Sequence, residues 1–576
     1  MSCPKRISEQ SALAFNSALN VFAVPPTNVS VSRSFFRELL PLSTISQEGP
    51  YLFRMFNDSL WADLSRVYLY LELSIKKPNA HGVDVPIDAS DDADVGPCQS
   101  IGQTFVQQLK VEVQNTELYD SGTLYPYKAY ITNELSFPDN VKRNFMASSG
   151  YYPSLTHDDR NDTGFRQRCS RFAGGRKAQF FSRLDFDLGN QELYLLSNMD
   201  ILFTIYRARN SFLLQCLAQN VAAGRQYSLF VHDIKLYVKM VEVQPSLNMS
   251  IYKTLEKQPA TYAVRRTEVK SCFLTAGRTE LDHAVFSAAI PRRITIALVI
   301  NRAFNGAYAL SPFDFRPYNI RDISVHAGGN VYPAVPHRMN FKGADYVRPF
   351  VDMYEALGMA NSERSMDISL EQFRDGWTFF VVPMTSTLDD SCGFELLRSG
   401  TTSVRLQFNE EVPPGGVEMI CLANESFPAP MQTLLTLDRP EPDAWRDTPT
   451  LQRTLHALVL LLHYSVVLPL FALCCLILLR WMRKRGLLVD RRRNPPNSAS
   501  SGNSPPKPDT GAGNRHHQIP SPVAPNAPST PHNKDDDADD AEDRADVELV
   551  RGATAAAASY ILPRIIFLNK MDGSKA

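Results

Sequence analysis

This sequence of 576 residues has few cysteines, almost no net charge and few signs of a targeting signal. Nine cysteines occur without a CxxC pair or a regular spacing, which argues against a disulfide framework and predicts reduced, buried thiols. The first 20 residues never build the apolar run of about 7–15 residues that a secretory signal requires. The formal net charge is −1, so the composition gives no sign of a nucleic-acid partner.

The motifs of common catalytic and nucleotide-binding sites are also missing. The sequence contains no GxxxxGK[ST], GxGxxG, HExxH or GxSxG pattern. The basic turn from Gly174 to Lys177 has the composition of an anion-binding loop, but no helix signal follows it, and we interpret it as a surface loop. The sequence therefore predicts no catalytic, cofactor-binding or metal-binding residues and no enzyme activity. Five histidines without metal-ligand spacing are interpreted as structural: His157, His232, His283, His326 and His337.

One long apolar segment stands out near the C-terminal end. From Leu455 to Leu479 there is no Lys, Arg, Asp or Glu, and a helix of that length, at about 1.5 Å per residue, exceeds the ~30 Å core of a bilayer. Basic residues follow at once, including Arg480 and the run Arg491 to Arg493, so the positive-inside rule places the tail in the cytosol. We predict a single transmembrane helix over 455–479. The competing interpretations are a buried core helix and a segment joined to the body by a faulty gene model.

The tail after this segment has a different composition. Residues 495–531 hold ten prolines among Ser, Asn and Gly, which predicts a disordered tail over 480–576. The acidic run from Asp535 to Asp543 lacks the glycine turns and spaced ligands of a cation site, so we interpret it as a solvated stretch. Several glycosylation sequons are expected by chance in a chain this long. They begin at Asn28, Asn57, Asn161, Asn248 and Asn424.

The body before the apolar segment has the pattern of β-strands. Apolar and polar residues alternate over 109–114, 183–188, 234–240 and 404–408, and 294–300 is almost continuously apolar. Trp377 to Val382 follows the turn signal Asp375-Gly376 and predicts a further strand. These runs, separated by Gly, Pro, Asn and Asp, indicate a β-sandwich or barrel, with Leu236 and Val238 in the core.

Helical signals are few. Tyr125 to Leu135, with proline in its first turn, predicts one helix, and Ser246 to Lys257 predicts another that connects two β domains of about 200 residues each. The polar, Gly-containing stretches Asn79 to Gly96 and Ser148 to Lys177 are expected to be loops on the outer surface or between neighbouring copies, and to tolerate insertions.

Seven short segments, taken in order over about residues 20–430, resemble a known family: the double jelly-roll major capsid protein of Maverick/Polinton virus-like transposons and adintoviruses, itself distantly similar to adenovirus hexon. The resemblance departs at Ser197-Asn198, where the family has Asn directly after the Tyr-Leu-Leu segment, and it ends at about Arg439. The segments are Val21 to Thr27, Val67 to Leu71, Leu124 to Tyr130, Tyr194 to Leu196 ahead of Asp200, Asn305 to Tyr308, Pro312 to Phe315 and Val404 to Phe408.

The resemblance implies an all-β protein of two consecutive jelly-roll sandwiches, without catalytic residues. Three chains would form a pseudo-hexagonal capsomer, with partners in neighbouring capsomers and minor capsid proteins, and the body would lie in a virion or virus-like particle. The implied division is 1–19 N-terminal arm, 20–245 first jelly roll, 246–257 connector helix, 258–435 second jelly roll, 436–454 linker, 455–479 transmembrane helix and 480–576 tail.

Two classes of function remain open from the sequence, with an enzyme as the third choice. One is a capsid-like structural protein, with the anchor added by capture or fusion. The other is a single-pass, membrane-anchored β-sandwich receptor or adhesion protein, which the apolar segment favours and which the missing signal and sparse cysteines oppose. Self-association separates the two, because a shell protein needs large contacts between copies.

Overall fold

The alternating apolar residues form strands that each bury one face. The computed structural model describes residues 10, 16–22, 24–157, 159–385, 398–424 and 434–437, all of which belong to one compact unit, residues 1–440. In the strand Ser228–Val243, Leu236 and Val238 are fully buried, and Lys235 and Lys239 lie on the other face. The predicted core positions of this strand are therefore confirmed.

Eight strands form two antiparallel sheets in the first half of the body. One sheet has the order β1-β8-β3-β6 and the other has the order β2-β7-β4-β5. The strands are β1 (Val31–Leu39), β2 (Tyr51–Phe56), β3 (Trp61–Pro78), β4 (Val106–Val113), β5 (Thr116–Asp120), β6 (Ala178–Arg183), β7 (Asp200–Arg207) and β8 (Ser228–Val243).

Eight further strands repeat this arrangement in the second half. Their sheets have the orders β9-β16-β11-β14 and β10-β15-β12-β13. The strands are β9 (Thr267–Leu274), β10 (Glu280–Phe286), β11 (Arg293–Ile300), β12 (Ile320–Ala327), β13 (Asn330–Tyr332), β14 (Phe380–Pro383), β15 (Thr402–Phe408) and β16 (Val417–Asn424).

Both halves therefore have one and the same topology. Counted within each half, one sheet pairs strands 1-8-3-6 and the other pairs strands 2-7-4-5, which is the eight-stranded, two-sheet jelly roll. The buried faces of the sheets contribute to one continuous apolar cluster. The protein is thus a mainly β structure with two jelly rolls in one chain.

Short helices occupy the connections, and the longest of these run between the fifth and sixth strand of each half. Helices α2 to α4 lie in that connection in the first half, α9 and α10 lie in it in the second, and α7 joins the halves. The helices are α1 (Ile101–Thr104), α2 (Tyr125–Ser136), α3 (Asp139–Arg143), α4 (Thr163–Phe172), α5 (Asn210–Leu213), α6 (Ala218–Ala222), α7 (Pro245–Leu255), α8 (Asn301–Phe304), α9 (Val347–Ala356) and α10 (Leu370–Arg374).

Minor strand pairs and 3-10 turns complete the secondary structure. The short strand Asp84–Pro86 pairs with the end of β3. Two further pairs are Gly96–Pro97 with Leu214–Gln215, and Ala260–Ala263 with Leu434–Leu437. The 3-10 turns are Ser17–Leu19, Gly122–Leu124, Phe145–Ser149, Ala173–Gly175 and Asp187–Asn190.

Three local expectations were wrong. A strand was predicted over 183–188, but the observed strand β6 ends at Arg183 and a 3-10 turn begins at Asp187. Leu184, Phe186 and Leu188 are nevertheless all buried. The strand predicted from Trp377 begins only at Phe380. The stretch expected to be a loop over 148–177 contains helix α4, whose buried face makes the helical part unsuitable for insertions.

The predicted transmembrane helix and disordered tail both lie outside the described residues. Within the described ranges, no helix combines the length and the apolar composition needed to cross a membrane. Five cysteines fall in these ranges and none is in a disulfide, with Cys98, Cys169, Cys216 and Cys421 buried. The prediction of reduced, mostly buried thiols is confirmed for these positions.

We expect Leu236→Asp to abolish folding. The change places an unpaired carboxylate in an apolar core, and the loss of about 4 kcal/mol or more approaches the ~5–15 kcal/mol by which whole domains are stable. The measurement is soluble yield and the urea unfolding midpoint. Lys239→Asp, on the opposite face of the same strand, is the control and should unfold close to the wild-type midpoint.

Candidate assembly surfaces

Helix α2 is the element through which the two halves meet. All of its residues except Thr132 and Ser136 are buried, because the helix is covered from both sides. Its Tyr130 stacks on Phe313 of the second half with ring centroids 4.2 Å apart, and Tyr127 stacks on Phe304 at 5.5 Å. Such aromatic pairs contribute about 0.5–1.5 kcal/mol each beyond the area that they bury.

The segment from Asn305 to Tyr308 also lies in the interface between the two halves. Gly306 has a φ of +92°, and a Cβ atom there would lie 2.8 Å from the hydroxyl oxygen of Ser211 in the first half. Any other residue would therefore be strained by this backbone conformation, and its Cβ atom would also crowd the backbone nitrogen of Phe212 at 3.0 Å. Next to it, the hydroxyl of Tyr308 donates to the carbonyl of Tyr227 at 2.9 Å. Three of the segments that carry the family resemblance, 124–130, 305–308 and 312–315, thus converge on one contact.

A buried ion pair ties α2 to the first strand of the second half. The Lys128 ammonium donates to Asp187 and to the Tyr119 hydroxyl, both at 2.9 Å, and its side chain is 2 % exposed. The other Asp187 oxygen accepts from the backbone N–H of Thr267, where β9 begins. Burial alone lowers the pKa of Lys128, but the carboxylates of Asp185 and Asp187 outweigh that effect and raise the pKa above its usual value.

A second buried cation makes a similar bridge at the end of α2. The Lys142 ammonium donates to the Glu134 carboxylate at 2.9 Å and to the backbone carbonyl of Met366 in the second half at 2.8 Å. The Glu134 carboxylate also accepts from the Tyr151 hydroxyl. Since a buried charge without a partner is strongly destabilising, these contacts fix the orientation of one half against the other.

In the second half, the central strands β16 and β11 of the sheet β9-β16-β11-β14 are buried on both faces, whereas the edge strand β9 is partly exposed. Val299, Ala297 and Ile420 on one face are fully buried, and Glu418 pairs directly with Val299 and so lies on that same face. Part of this face is turned toward the first half, since Val269 and Ser271 of β9 line a groove together with residues 121–124. An open groove of about 320 Å³ marks the edge of the contact, between 121–124 and 269–271.

The equivalent sheet of the first half leaves part of its outer face open, although Val241 and Trp61 on that face are buried. Phe36 on β1, Tyr68 on β3, Phe181 on β6 and Tyr237 on β8 form a row across this face, which we name the aromatic face. Ring centroids are 5.9 Å apart for Phe36 and Tyr68, 5.0 Å for Tyr68 and Phe181, and 5.4 Å for Phe181 and Tyr237. Phe36 is 49 % and Phe181 37 % exposed.

Helix α9 also exposes apolar side chains. Its inner side packs Met353 and Phe350, the latter with its ring 5.7 Å from that of Phe373. On its outer side, Val347 and Val351, one turn apart, are 53 % and 45 % exposed. Val335 is 61 % exposed, and its backbone carbonyl accepts from Arg348 of the same helix at 3.0 Å. We name Val335, Val347 and Val351 the valine patch.

The histidines singled out in the sequence lie in separate settings. His157 is buried and stacked on Trp377 at 3.9 Å, and burial lowers its pKa to about 3, so it is neutral. His232 contacts Ser74 at 2.8 Å, and His337 lies 3.6 Å from Asp352. In the part of the chain that the structure describes, no three His, Cys, Asp or Glu side chains are grouped to hold a metal. The absence of catalytic residues stays a prediction.

The buried thiols are protonated and unreactive at neutral pH. Burial raises the pKa of Cys98 and Cys216 to about 11 and that of Cys169 to about 12. A thiol must be deprotonated to act as a nucleophile or to ligate a metal. These cysteines therefore pack as small apolar residues.

Sequence reasoning missed α4 and the buried lysines. Asp162 is the N-cap of α4, its carboxylate accepting from the backbone N–H groups of Gly164 and Phe165. An N-cap residue followed by Phe165, Cys169 and Phe172 at helical spacing was the available signal. No comparable local pattern predicts that Lys128 is buried, because its partner Asp187 is distant in the sequence.

Comparison with known proteins gives distant similarities. No family model matches the chain. An uncharacterised protein of Caenorhabditis elegans, F54H12.2, is 27 % identical over 410 residues, which cover 69 % of this chain and 95 % of that protein.

Solved viral structures are similar at about 10 % identity. For the Sputnik virophage structure the TM-score is 0.48, with 73 % of this chain and 91 % of that chain covered. For the mavirus major capsid protein it is 0.45, with 78 % and 99 % covered, and for the Faustovirus major capsid protein 0.43, with 75 % and 93 % covered.

We expect Lys128→Ala to destabilise the protein by about 3–5 kcal/mol, because Asp187 would remain buried without its cation. Burial already raises the pKa of Asp187. In the variant it should rise further, so stability should fall as the pH rises from about 4 through the folded-state pKa of Asp187. Urea unfolding at pH 5 and pH 8 measures both effects. Lys342→Ala, which breaks an exposed pair with Glu410, is the control and should cost no more than about 1 kcal/mol.

Proposed function

We propose that this chain is a structural protein that assembles with copies of itself, as a double jelly-roll major capsid protein does. One observation supports this most directly: two jelly rolls of identical strand order are locked together by a buried interface built from the segments that carry the family resemblance. Jelly rolls are a common building block of viral shells. The proposed origin is an integrated virus-like element related to Maverick/Polinton transposons.

In its finer form the proposal divides the body at residues 20–245 and 258–435, with 246–257 as connector. Each chain then supplies two similar blocks, and three chains supply the six needed for a pseudo-hexagonal capsomer. The proposed partners are other copies of the chain in the same and neighbouring capsomers, with minor capsid proteins beside them. The proposed location of the body is a virion or virus-like particle.

We expect the full chain, purified in mild detergent, to have the mass of three chains by light scattering at micromolar concentration. An interface able to hold such a trimer buries about 2,000 Å² or more. The body 1–440, measured alongside, should give the same stoichiometry, which assigns the contact to the jelly rolls. A monomeric mass for both would favour the receptor or adhesion class instead.

We further propose that residues 455–479 anchor the chain in a membrane, with the tail from Arg480 in the cytosol. The support is the uncharged length of the segment and the basic cluster behind it. The same anchor would serve a receptor, so it does not decide between the two classes. If the chain is a capsid-like protein, the anchor indicates a captured or fused copy of a shell protein.

Alkaline carbonate extraction of cells that express the tagged full chain should leave the protein in the membrane pellet, and release into the soluble fraction would contradict the anchor. Topology is tested by glycosylation. Asn28 and Asn161 are exposed and should be modified if the body is exterior. Asn57 is fully buried and donates to the carbonyl of Leu196, so it should stay unmodified in the folded protein.

A further inference from the structure

The buried ion pair at Lys128 holds the reactive groups from which an amide bond is made. The Lys128 nitrogen lies 2.9 Å from Asp187 Oδ1, and the two side chains are 2 % and 7 % exposed. A second carboxylate, that of Asp185, lies 3.8 Å from the same nitrogen, and its Oδ2 atom is buried without a hydrogen-bond partner. One buried amine therefore faces two carboxylates, although a single carboxylate is enough to pair with it.

We propose that Lys128 and Asp187 react with each other and form an amide bond between their side chains. Two well-oriented groups within one molecule react as if their concentration were about 10⁵–10⁸ M. The exclusion of water from the site also protects the product from hydrolysis. The ion pair is the state of the site before this reaction. The proposal does not depend on the proposed assembly, because both residues belong to one chain.

The reaction needs both groups in their neutral forms, because a protonated amine has no lone pair and an ionised carboxylate is a poor electrophile. A buried ion pair reaches that state when one proton moves from nitrogen to oxygen, since apolar surroundings disfavour separate charges. Burial raises the pKa of Asp187, which helps its carboxyl group to take the proton. The carboxylates of Asp185 and Asp187 raise the pKa of Lys128, and the transfer itself removes one of these two charges.

The site supplies a group for each part of the step. The neutral Lys128 nitrogen attacks Cγ of the protonated Asp187 carboxyl group, and negative charge develops on Oδ2. The backbone N–H of Thr267 donates to that oxygen at 3.2 Å and stabilises the charge. The Asp185 carboxylate takes a proton from the attacking nitrogen and returns it to Oδ1. The bond from Cγ to Oδ1 then breaks, so that the C–N bond remains and one water molecule leaves.

The released water has a way out of the site. Asp187 lines an open groove of about 420 Å³, together with residues 117–122 of the first half and 266–269 of the second. No oxidant, reductant or further reactant is required, because an ammonium and a carboxylate become an amide and water. The product would join α2 covalently to the turn that begins at Asp187.

The second buried lysine provides a comparison within the same molecule. The Lys142 nitrogen also lies 2.9 Å from a buried carboxylate, that of Glu134. Its other hydrogen-bond partners are the backbone carbonyls of Glu134 and Met366, which cannot carry a proton away. This pair should therefore remain ionic.

The test is the intact mass of the full chain, purified in mild detergent, incubated at neutral pH and then denatured. The wild-type chain should be lighter than its sequence by one water molecule, and proteolysis should release a branched peptide that joins Lys128 to Asp187. A wild-type chain of full mass would overturn the proposal. A loss of water without the branched peptide would overturn it as well, because a cyclic imide formed elsewhere loses the same mass.

Two variants test the part played by the second carboxylate. Asp185→Asn keeps the amine, the electrophile and an oxygen that can accept from Asn190, but it removes the proton carrier, so this variant should keep its full mass. Glu117→Gln removes an exposed carboxylate paired with Lys110 and should lose water as the wild type does. A branched peptide in Asp185→Asn, or one that joins Lys142 to Glu134, would refute the need for a second carboxylate. The wild-type measurement does not depend on the folding of either variant.

Discussion

The structure depends on the burial of helix α2 between two apolar cores. A helix covered on all sides needs apolar residues around its whole circumference, yet α2 carries Lys128 and Glu134. These charges are tolerated because each has a specific partner, Asp187 for the lysine and Lys142 for the glutamate. Buried ion pairs add little net stability, but they are demanding about geometry. They therefore fix how the two jelly rolls are oriented, which the stacked rings alone would leave more variable.

Much of the fold was predictable because strands of a sandwich obey a simple pattern. Where one face is buried and the other meets solvent, alternation identifies strand and core residues together, as at Leu236 and Val238. The same pattern misled at Leu184, Phe186 and Leu188, whose side chains are buried without sheet pairing. Alternate burial is produced by any extended segment that runs along a core, so it does not by itself establish a ladder of hydrogen bonds.

The candidate surfaces were harder to predict from the sequence than the strands. The contact between Tyr130 and Phe313 joins residues that are far apart in the chain, and neither residue differs locally from an ordinary core aromatic. The aromatic face was hidden for another reason. Phe36, Tyr68 and Phe181 lie on separate strands, and only the pairing of β3 with β6 and the order of the sheet bring them together. Such features belong to the topology rather than to any one segment.

Strand order also imposes a sequence of events during synthesis. Strand β1 pairs with β8, so Ser34 finds its partner Val241 only after some two hundred intervening residues have been made. Non-local pairing of this kind slows folding and leaves strand edges open in the meantime. Helix α2 must wait longer still, because Phe313 emerges from the ribosome well after the first sandwich is complete. The nascent first half thus carries an uncovered apolar helix for part of its translation, which makes it a natural substrate for chaperones.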